Sequence, residues 1–389
     1  MKWGPPMHIA VLGTLDTKSD EVDYLRKMII AEGGAVSVVD TTPATWLTAG
    51  PYGSRAELMS RAAEVIRDAV LPRVLAGEFD GVCVIAGATG AALTGLLLSE
   101  IPYGVPKILV SPIASSDVRP YIGPSDTVVV PPVADFTGRN AYTDYALARV
   151  ARLISVMVRS VQEYPNESAT HFAASAFGVT SKLIHMLGGA LSSGGQRLTV
   201  FSANGTGGES FERFVSLGLV SGAFDLTLSE LADELCGGVL SAGQARGWAA
   251  PRKGIPQVVM PGALDFINYG PLSTVPAERR SRPIVEHTSS VTLVRTSACE
   301  NFELGRMVAE RANSGRETTV VIVPRRGFSL LGAPGGPFSD PEADDAFVQG
   351  LALHPEVRVE LVDDEFNGGK TLDAVLAASK HWRNQHDNG

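Results

Sequence analysis

The stretch His8-Ile9-Ala10-Val11-Leu12-Gly13-Thr14-Leu15-Asp16-Thr17-Lys18 decides the reading of the fold. A short apolar run ending in glycine suits a parallel strand buried on both faces. Over Asp20–Ala31, Val22, Leu25, Met28 and Ile29 recur at three- and four-residue spacing, which predicts an amphipathic helix closed by Gly33-Gly34. Ala35–Val39 is the next strand. Outward from this unit the rhythm continues with a helix over Arg55–Leu75, interrupted late by Pro72, and a strand over Gly81–Ala86. Gly87–Gly90 is a turn, Ala91–Leu98 a helix, and Lys107–Ser111 and Thr127–Pro131 are strands. Five short strands alternating with helices predict a doubly wound parallel sheet.

Asp135–Val161 reads as a helix, and the polar run Glu163-Tyr164-Pro165-Asn166-Glu167-Ser168 as a domain boundary, giving domains 1–165 and 166–389. A second rhythm follows: strand Phe172–Phe177, helix Ser181–Leu191, strand Arg197–Ser202, helix Phe211–Leu217 and strand Ala223–Leu228. Gln257–Val259, Val291–Arg295, Thr319–Val323 and Val357–Val362 supply further strands, with helices at Met307–Arg311 and Asp344–Leu353. Both halves run strand, glycine turn, helix, Gly-Gly, strand. The expected fold class is α/β, with two Rossmann-like doubly wound domains facing each other across a cleft.

The 389 residues are 44% hydrophobic and 19% charged, too apolar for a disordered chain. A net charge of −9 argues against a nucleic-acid partner held by bulk electrostatics. No apolar run approaches the ~20 residues of a membrane span, and Met1–Ile9 lacks the apolar region of a secretory signal. Cys83, Cys236 and Cys299 form no CxxC pair. A cytoplasmic protein without a membrane partner is expected.

Three strand-end loops rich in hydroxyls and acids fall on one predicted sheet edge. In Gly13–Glu21, Thr14, Thr17 and Lys18 suit a phosphate or carboxylate, and Asp16 a metal ion or ribose hydroxyl. The alternative is that Thr17, Ser19 or Asp20 merely caps the helix. Gly87-Ala88-Thr89-Gly90 lets a ligand approach the backbone, and Ser115 and Asp117 follow the next strand. In the second half, Asn204-Gly205-Thr206-Gly207-Gly208 reads as an anion-binding nest of amides. Ser229 is placed to cap a helix whose first turns hold Glu230, Asp233 and Glu234. Asp265, His287 and Arg295 add candidate acid–base groups, and the Gly/Pro-rich run 332–337 reads as a structured connection or a lid. GxSxG and HExxH are absent.

These motifs, with Gly104-Val105-Pro106-Lys107, Phe177-Gly178-Val179-Thr180, Leu228–Leu235, Gly237–Gly243, Pro261–Asp265 and Pro337–Asp344, occur in an order that resembles a known family. It is the ATP-binding-domain family of the tomato mosaic virus resistance protein, a replication inhibitor. The resemblance is to that family's N-terminal two-subdomain region. It implies α/β folds in both halves, ATP binding with Mg²⁺ and self-association. The chain departs from the family at Ala86–Ala92, where a Gly-Gly-Ser-Gly-Gly-Thr-like loop is usual, and at Ser202, where a histidine is usual.

The leading expectation is therefore a nucleotide-binding protein, with no nucleic-acid partner, that self-associates as a dimer. Thr14, Asp16, Thr17, Lys18, Gly87, Thr89, Ser115 and Asp117 would form one wall of its cleft and Asn204–Gly208 the other. A second reading is a hydrolase or lyase acting on a small carboxylated or carbonyl metabolite through His287, Glu230, Asp265 and Arg295. A third is a regulatory protein without turnover that contacts another protein.

Overall fold

The computed structural model describes residues 7–43, 54–160 and 171–382. The chain divides into two compact units, Met1–Pro165 and Asn166–Gly389. The polar break at 163–168 lies outside the described residues.

In the first unit, β1 (His8–Gly13), β2 (Ala35–Asp40), β3 (Gly81–Ile85), β4 (Lys107–Val110) and β5 (Val128–Val130) form one parallel sheet in the order β2-β1-β3-β4-β5. Its central strands β1, β3 and β4 are buried on both faces, while the edge strands β2 and β5 are only partly covered. Val82, Val84 and Leu109 pack beneath α2 (Arg55–Leu75) and α3 (Ala88–Glu100), while Ile9, Val11, Cys83 and Ile108 pack against α1 (Leu15–Ala31) and α4 (Ala141–Arg159). The strand order reverses between β1 and β3, so their carboxyl ends open onto a crevice where ligands of such sheets bind.

Several local expectations shift. Helix α1 starts five residues earlier than the apolar periodicity indicates and carries non-helical backbone at Lys18. Pro72 lies inside α2 without ending it. Helix α4 begins at Ala141 because Asn140 accepts from the amides of Tyr142 and Thr143, while Thr143 Oγ1 accepts from the Asn140 amide.

The second unit repeats the winding. Its strands β6 (His171–Ala176), β7 (Arg197–Ser202), β8 (Gly222–Thr227), β9 (Gln257–Gly262), β13 (Thr319–Pro324) and β14 (Arg358–Val362) form a six-stranded parallel sheet ordered β7-β6-β8-β9-β13-β14. Helices α5 (Ser181–Ser193) and α10 (Gly369–Ala378) cover one face. Helices α7 (Ser229–Cys236), α8 (Ala298–Ser314) and α9 (Pro341–Leu351) cover the other, and α6 (Thr206–Ser216) follows β7. The sheet expectation fails in one place. Val291–Arg295, β12, leaves the main sheet and pairs antiparallel with β10 (Phe266–Tyr269) and β11 (Ile284–Thr288). Among the described residues no helix is long and apolar enough to cross a membrane.

Helices α8 and α9 meet through glycine. A Cβ on Gly305 would stand 2.1 Å from the Phe347 carbonyl oxygen, and one on Gly350 would stand 2.1 Å from that of Phe302. Alanine is intrinsically the better helix former by about 1 kcal/mol. Here overpacking, at about 1–3 kcal/mol, opposes and exceeds that gain. Gly305→Ala is therefore expected to lower the urea midpoint, against the sign of helix propensity.

Candidate functional site

The first unit gathers part of the predicted ligand wall. After β1 the chain turns at Thr14 into α1, and the Thr14 and Thr17 hydroxyls lie 3.1 Å apart. β1 and β3 are adjacent, with Gly13 in register with Ile85. A Cβ placed on Gly90 would lie 3.9 Å from Thr14 Cγ2, so the turns after β1 and β3 adjoin. Ser115, in a 3₁₀ turn after β4, and Asp117 beyond it follow the neighbouring strand.

Helix starts carry amides without intrahelical partners, and each start here has its own solution. At α1 the capping side chain is none of Thr17, Ser19 or Asp20. Asp40, from the end of β2, accepts from the Leu15 amide at 3.0 Å, and Thr42 Oγ1 accepts from the Asp16 amide at 3.3 Å. Asp16 Oδ1 in turn accepts from Thr42. Lys18 donates to the Phe136 carbonyl at 3.3 Å, which ties α1 to the segment before α4. Asp117 pairs with Arg119 at 2.6 Å, and that hydrogen bond holds its carboxyl below the usual range.

The start of α3 is different. Gly87 is its cap residue and offers no side chain, and no acid stands in the first turn. A Cβ on Gly87 would meet nothing within 4 Å, and Ala88 and Thr89 are exposed. Among the described residues no side chain caps these amides.

The predicted nest in the second unit is built, but its guest is internal. The Glu230 carboxylate, fully buried on α7, accepts from the amides of Gly205 at 2.7 Å and Gly208 at 3.0 Å. Asn204 accepts from the Gly207 amide at 3.1 Å. A Cβ on Gly208 would lie 2.1 Å from Glu230 Oε2, and one on Gly207 would lie 1.7 Å from the Ser202 carbonyl oxygen. The amides of Gly205 and Gly208, on either side of Thr206 and Gly207 at the head of α6, therefore hold a chain carboxylate where an external anion was expected. Ser229 does not cap α7; its hydroxyl donates to the Ala203 carbonyl.

Arg246 anchors that carboxylate, a residue to which no local motif drew attention. It is completely buried, and all five of its N–H donors find acceptors. Nε donates to Glu230 at 2.6 Å, and the two Nη atoms donate to Asp225 at 2.6 Å each. The remaining donors reach Glu212 at 3.0 Å and the Thr227 carbonyl at 3.1 Å. The β8–β9 register shifts between Asp225 and Thr227, an irregularity that carries both acceptors on one short stretch. Burial pushes the Glu230 and Glu212 carboxyls upward, and the Arg246 charge opposes it.

The four groups considered for acid–base chemistry do not share a site. Asp265 and Arg295 come together: the Arg295 side chain donates to the Asp265 carbonyl at 3.2 Å and to Asp344 at 2.7 Å. The Asp265 carboxylate accepts from Ser329 at 2.6 Å, and burial raises its pKa. A Cβ on Gly332 would stand 2.4 Å from Asp265 Oδ2, so the glycine-rich run packs over this acid. Glu230 belongs to the Arg246 cluster, and His287 is exposed on β11. Among the described residues no group of three or more His, Cys, Asp or Glu side chains is arranged for a metal ion.

Two predictions concern these buried charges. Arg246→Met leaves three carboxylates without their cation, a loss expected at about 3–5 kcal/mol of stability. Urea denaturation should show a larger deficit at pH 8 than at pH 5, because Glu212 and Glu230 must then ionise unpaired. Burial raises Asp233 and Asp344 to about 7 from an ordinary value of 3.8. Their folded forms bind more protons than the unfolded chain between those values, so their contribution to stability falls as pH rises from about 4 to about 7. Asp233→Asn should flatten that part of the pH profile.

Two family models cover most of the chain. The N-terminal domain of the uncharacterised protein family UPF0261 matches residues 44–163, and its C-terminal domain matches 170–382. A UPF0261 protein of Mesorhizobium japonicum is 35% identical over 398 residues, spanning 96% of this chain and 99% of its own. One from Clostridium tetani is 32% identical over 363 residues, 88% and 90% of the two chains. The ToMV resistance protein Tm-1 of Solanum lycopersicum is 35% identical over 278 residues, 70% of this chain but 37% of its own length. A solved glycosyltransferase, SnogD from Streptomyces nogalater, aligns over 96% of this chain at 11% identity with a TM-score of 0.20, too low to inform the fold. With both domain models matched in order, the chain belongs to the UPF0261 family.

Proposed function

We propose that the chain binds a phosphorylated small molecule at the switch-point crevice of its first unit, with ATP the nucleotide that the family resemblance favours. The observation supporting this is the start of α3. Its amides are uncapped among the described residues, Gly87 faces open space, and the turn lies beside the switch in strand order between β1 and β3. Backbone N–H groups and the helix dipole stabilise an anion at such a position.

The neighbouring groups fit a phosphate. Thr14, Thr17 and Thr89 offer hydroxyl donors. Lys18 has three N–H donors, of which the Phe136 carbonyl takes one, so its ammonium retains capacity for a phosphate oxygen. Asp16 and Asp117 are the carboxylates available to Mg²⁺ or a ribose hydroxyl. Mg²⁺ commonly takes only one or two carboxylates and completes its shell with water and phosphate, so it needs no preformed protein cluster. When bound, the ion would neutralise phosphate charge. The loop 204–208 is left out of the site because Glu230 engages the amides of Gly205 and Gly208 and Asn204 that of Gly207. No hydrolase or lyase step is assigned, since Glu230, His287 and the Asp265–Arg295 pair stand apart.

Gly87→Asp tests the reading. Gly87 has an extended backbone, φ −77° and ψ −173°, that any residue adopts. An aspartate there should cap α3 and add a few tenths of a kcal/mol to stability. It should also weaken ATP binding, read by isothermal titration with Mg²⁺ present, at least about tenfold, or 1.4 kcal/mol. Absence of heat from the unaltered chain at millimolar ATP would sink the proposal, as would unchanged affinity in the variant.

A further inference from the structure

Strand β7 is an edge of the second sheet. It pairs with β6 in unbroken register, and no proline or bulge blunts the edge along its length. The Ala203 amide donates to the Ala176 carbonyl at 2.7 Å. Alternate residues of a parallel ladder turn the same way, so the amides of Thr199 and Phe201 also face β6, and those of Leu198 and Val200 face outward.

On the α5 side, Leu198 and the 49% exposed Val200 floor a groove of about 970 Å³. Helix α5 walls it with two glycines. A Cβ on Gly188 would lie 3.7 Å from Leu198 Cδ2, and one on Gly189 would meet nothing within 4 Å. Glycine is the poorest helix-interior residue after proline, and here the pair leaves room beside the edge. Lys182 and His185 stand at the end where α5 begins, and Arg197 at the end where β7 begins, all three exposed. Among the described residues no aspartate or glutamate lines the groove, although the chain carries a net charge of −9.

We propose that an extended peptide, apolar in its middle and acidic at both ends, adds to β7 as a further strand of this sheet. The outward amides supply the main-chain bonds of strand addition, and the groove takes every second side chain. The dimensions agree. The six residues of β7, at ~3.3 Å each, span about 20 Å. Acids at the two ends of such a peptide reach the cations at the two ends of the groove. Outward backbone groups repeated along a strand suit another backbone better than a compact small molecule, which could meet only one or two of them.

The probe is the fluorescein-labelled heptapeptide Glu-Thr-Val-Thr-Val-Thr-Glu, whose glutamates and valines share one face. Its fluorescence anisotropy should rise to saturation with the full chain, and a peptide with lysine for both glutamates should bind at least about tenfold more weakly. Val200→Pro removes one outward amide and leaves the inward ladder intact. Gly189→Leu fills the groove with a good helix former, and so keeps the test valid should the proline disturb β7. Each variant should weaken binding at least about tenfold. No rise with the chain at hundreds of micromolar, equal binding of the lysine peptide, or unchanged binding in Gly189→Leu would overturn the proposal. So would a sedimentation mass that halves in Val200→Pro, because the edge would then belong to a second copy.

Discussion

A helix that begins at the end of a strand leaves its first amides short of acceptors, and where those acceptors come from distinguishes the loops of this chain. In α1 they come from Asp40 and Thr42. In α6 they come from Glu230 and Asn204. In α3 no described side chain supplies them. The two sheets share one winding order, yet the glycine-rich start in the second unit is closed by a carboxylate of the same chain. The start of α3 in the first unit has no such side chain among the described residues.

The closure in the second unit depends on Arg246. A buried carboxylate in a ring of amides is stable only if its charge is matched, and the guanidinium matches it while also holding Asp225 and Glu212. Arg311 reinforces the arrangement by donating to the Arg246 carbonyl at 2.7 Å. The network joins α6, α7, α8 and the end of β8. This explains why acids and glycines that resemble a ligand site in isolation serve as internal supports.

The doubly wound sheets were legible because strand burial and helical spacing are local signals. Gly81–Ala86 and Lys107–Ser111 could be placed from apolar runs alone. The antiparallel insertion was not, since Val291–Arg295 has the same composition as a main-sheet strand and only its pairing partners differ. At the site, the loop Asn204–Gly208 reads in sequence as a nest for an external phosphate or carboxylate, whereas the amides of Gly205 and Gly208 meet the chain's own Glu230. The origin of the carboxylate was hidden because Glu230 stands 25 residues from Gly205 and Arg246 a further 16. Glu230 itself looked like a helix-start acid, and nothing near Arg246 marked it. His287, with acids and an arginine nearby in sequence, lies exposed on β11. Gly87 and Thr89 fall on the predicted ligand wall, but a short turn of small residues carries no signal in sequence that separates a ligand contact from tight strand–helix packing.

The two glycine-rich turns differ in whether their amides are already engaged by the chain. Amide resonances of the ¹⁵N-labelled chain titrated with ATP and Mg²⁺ report on both at once. Shifts at Ala88, Thr89 and Gly90, with Gly205 and Gly208 unmoved, are the predicted result. Shifts at Gly205 and Gly208, with the start of α3 silent, would contradict it.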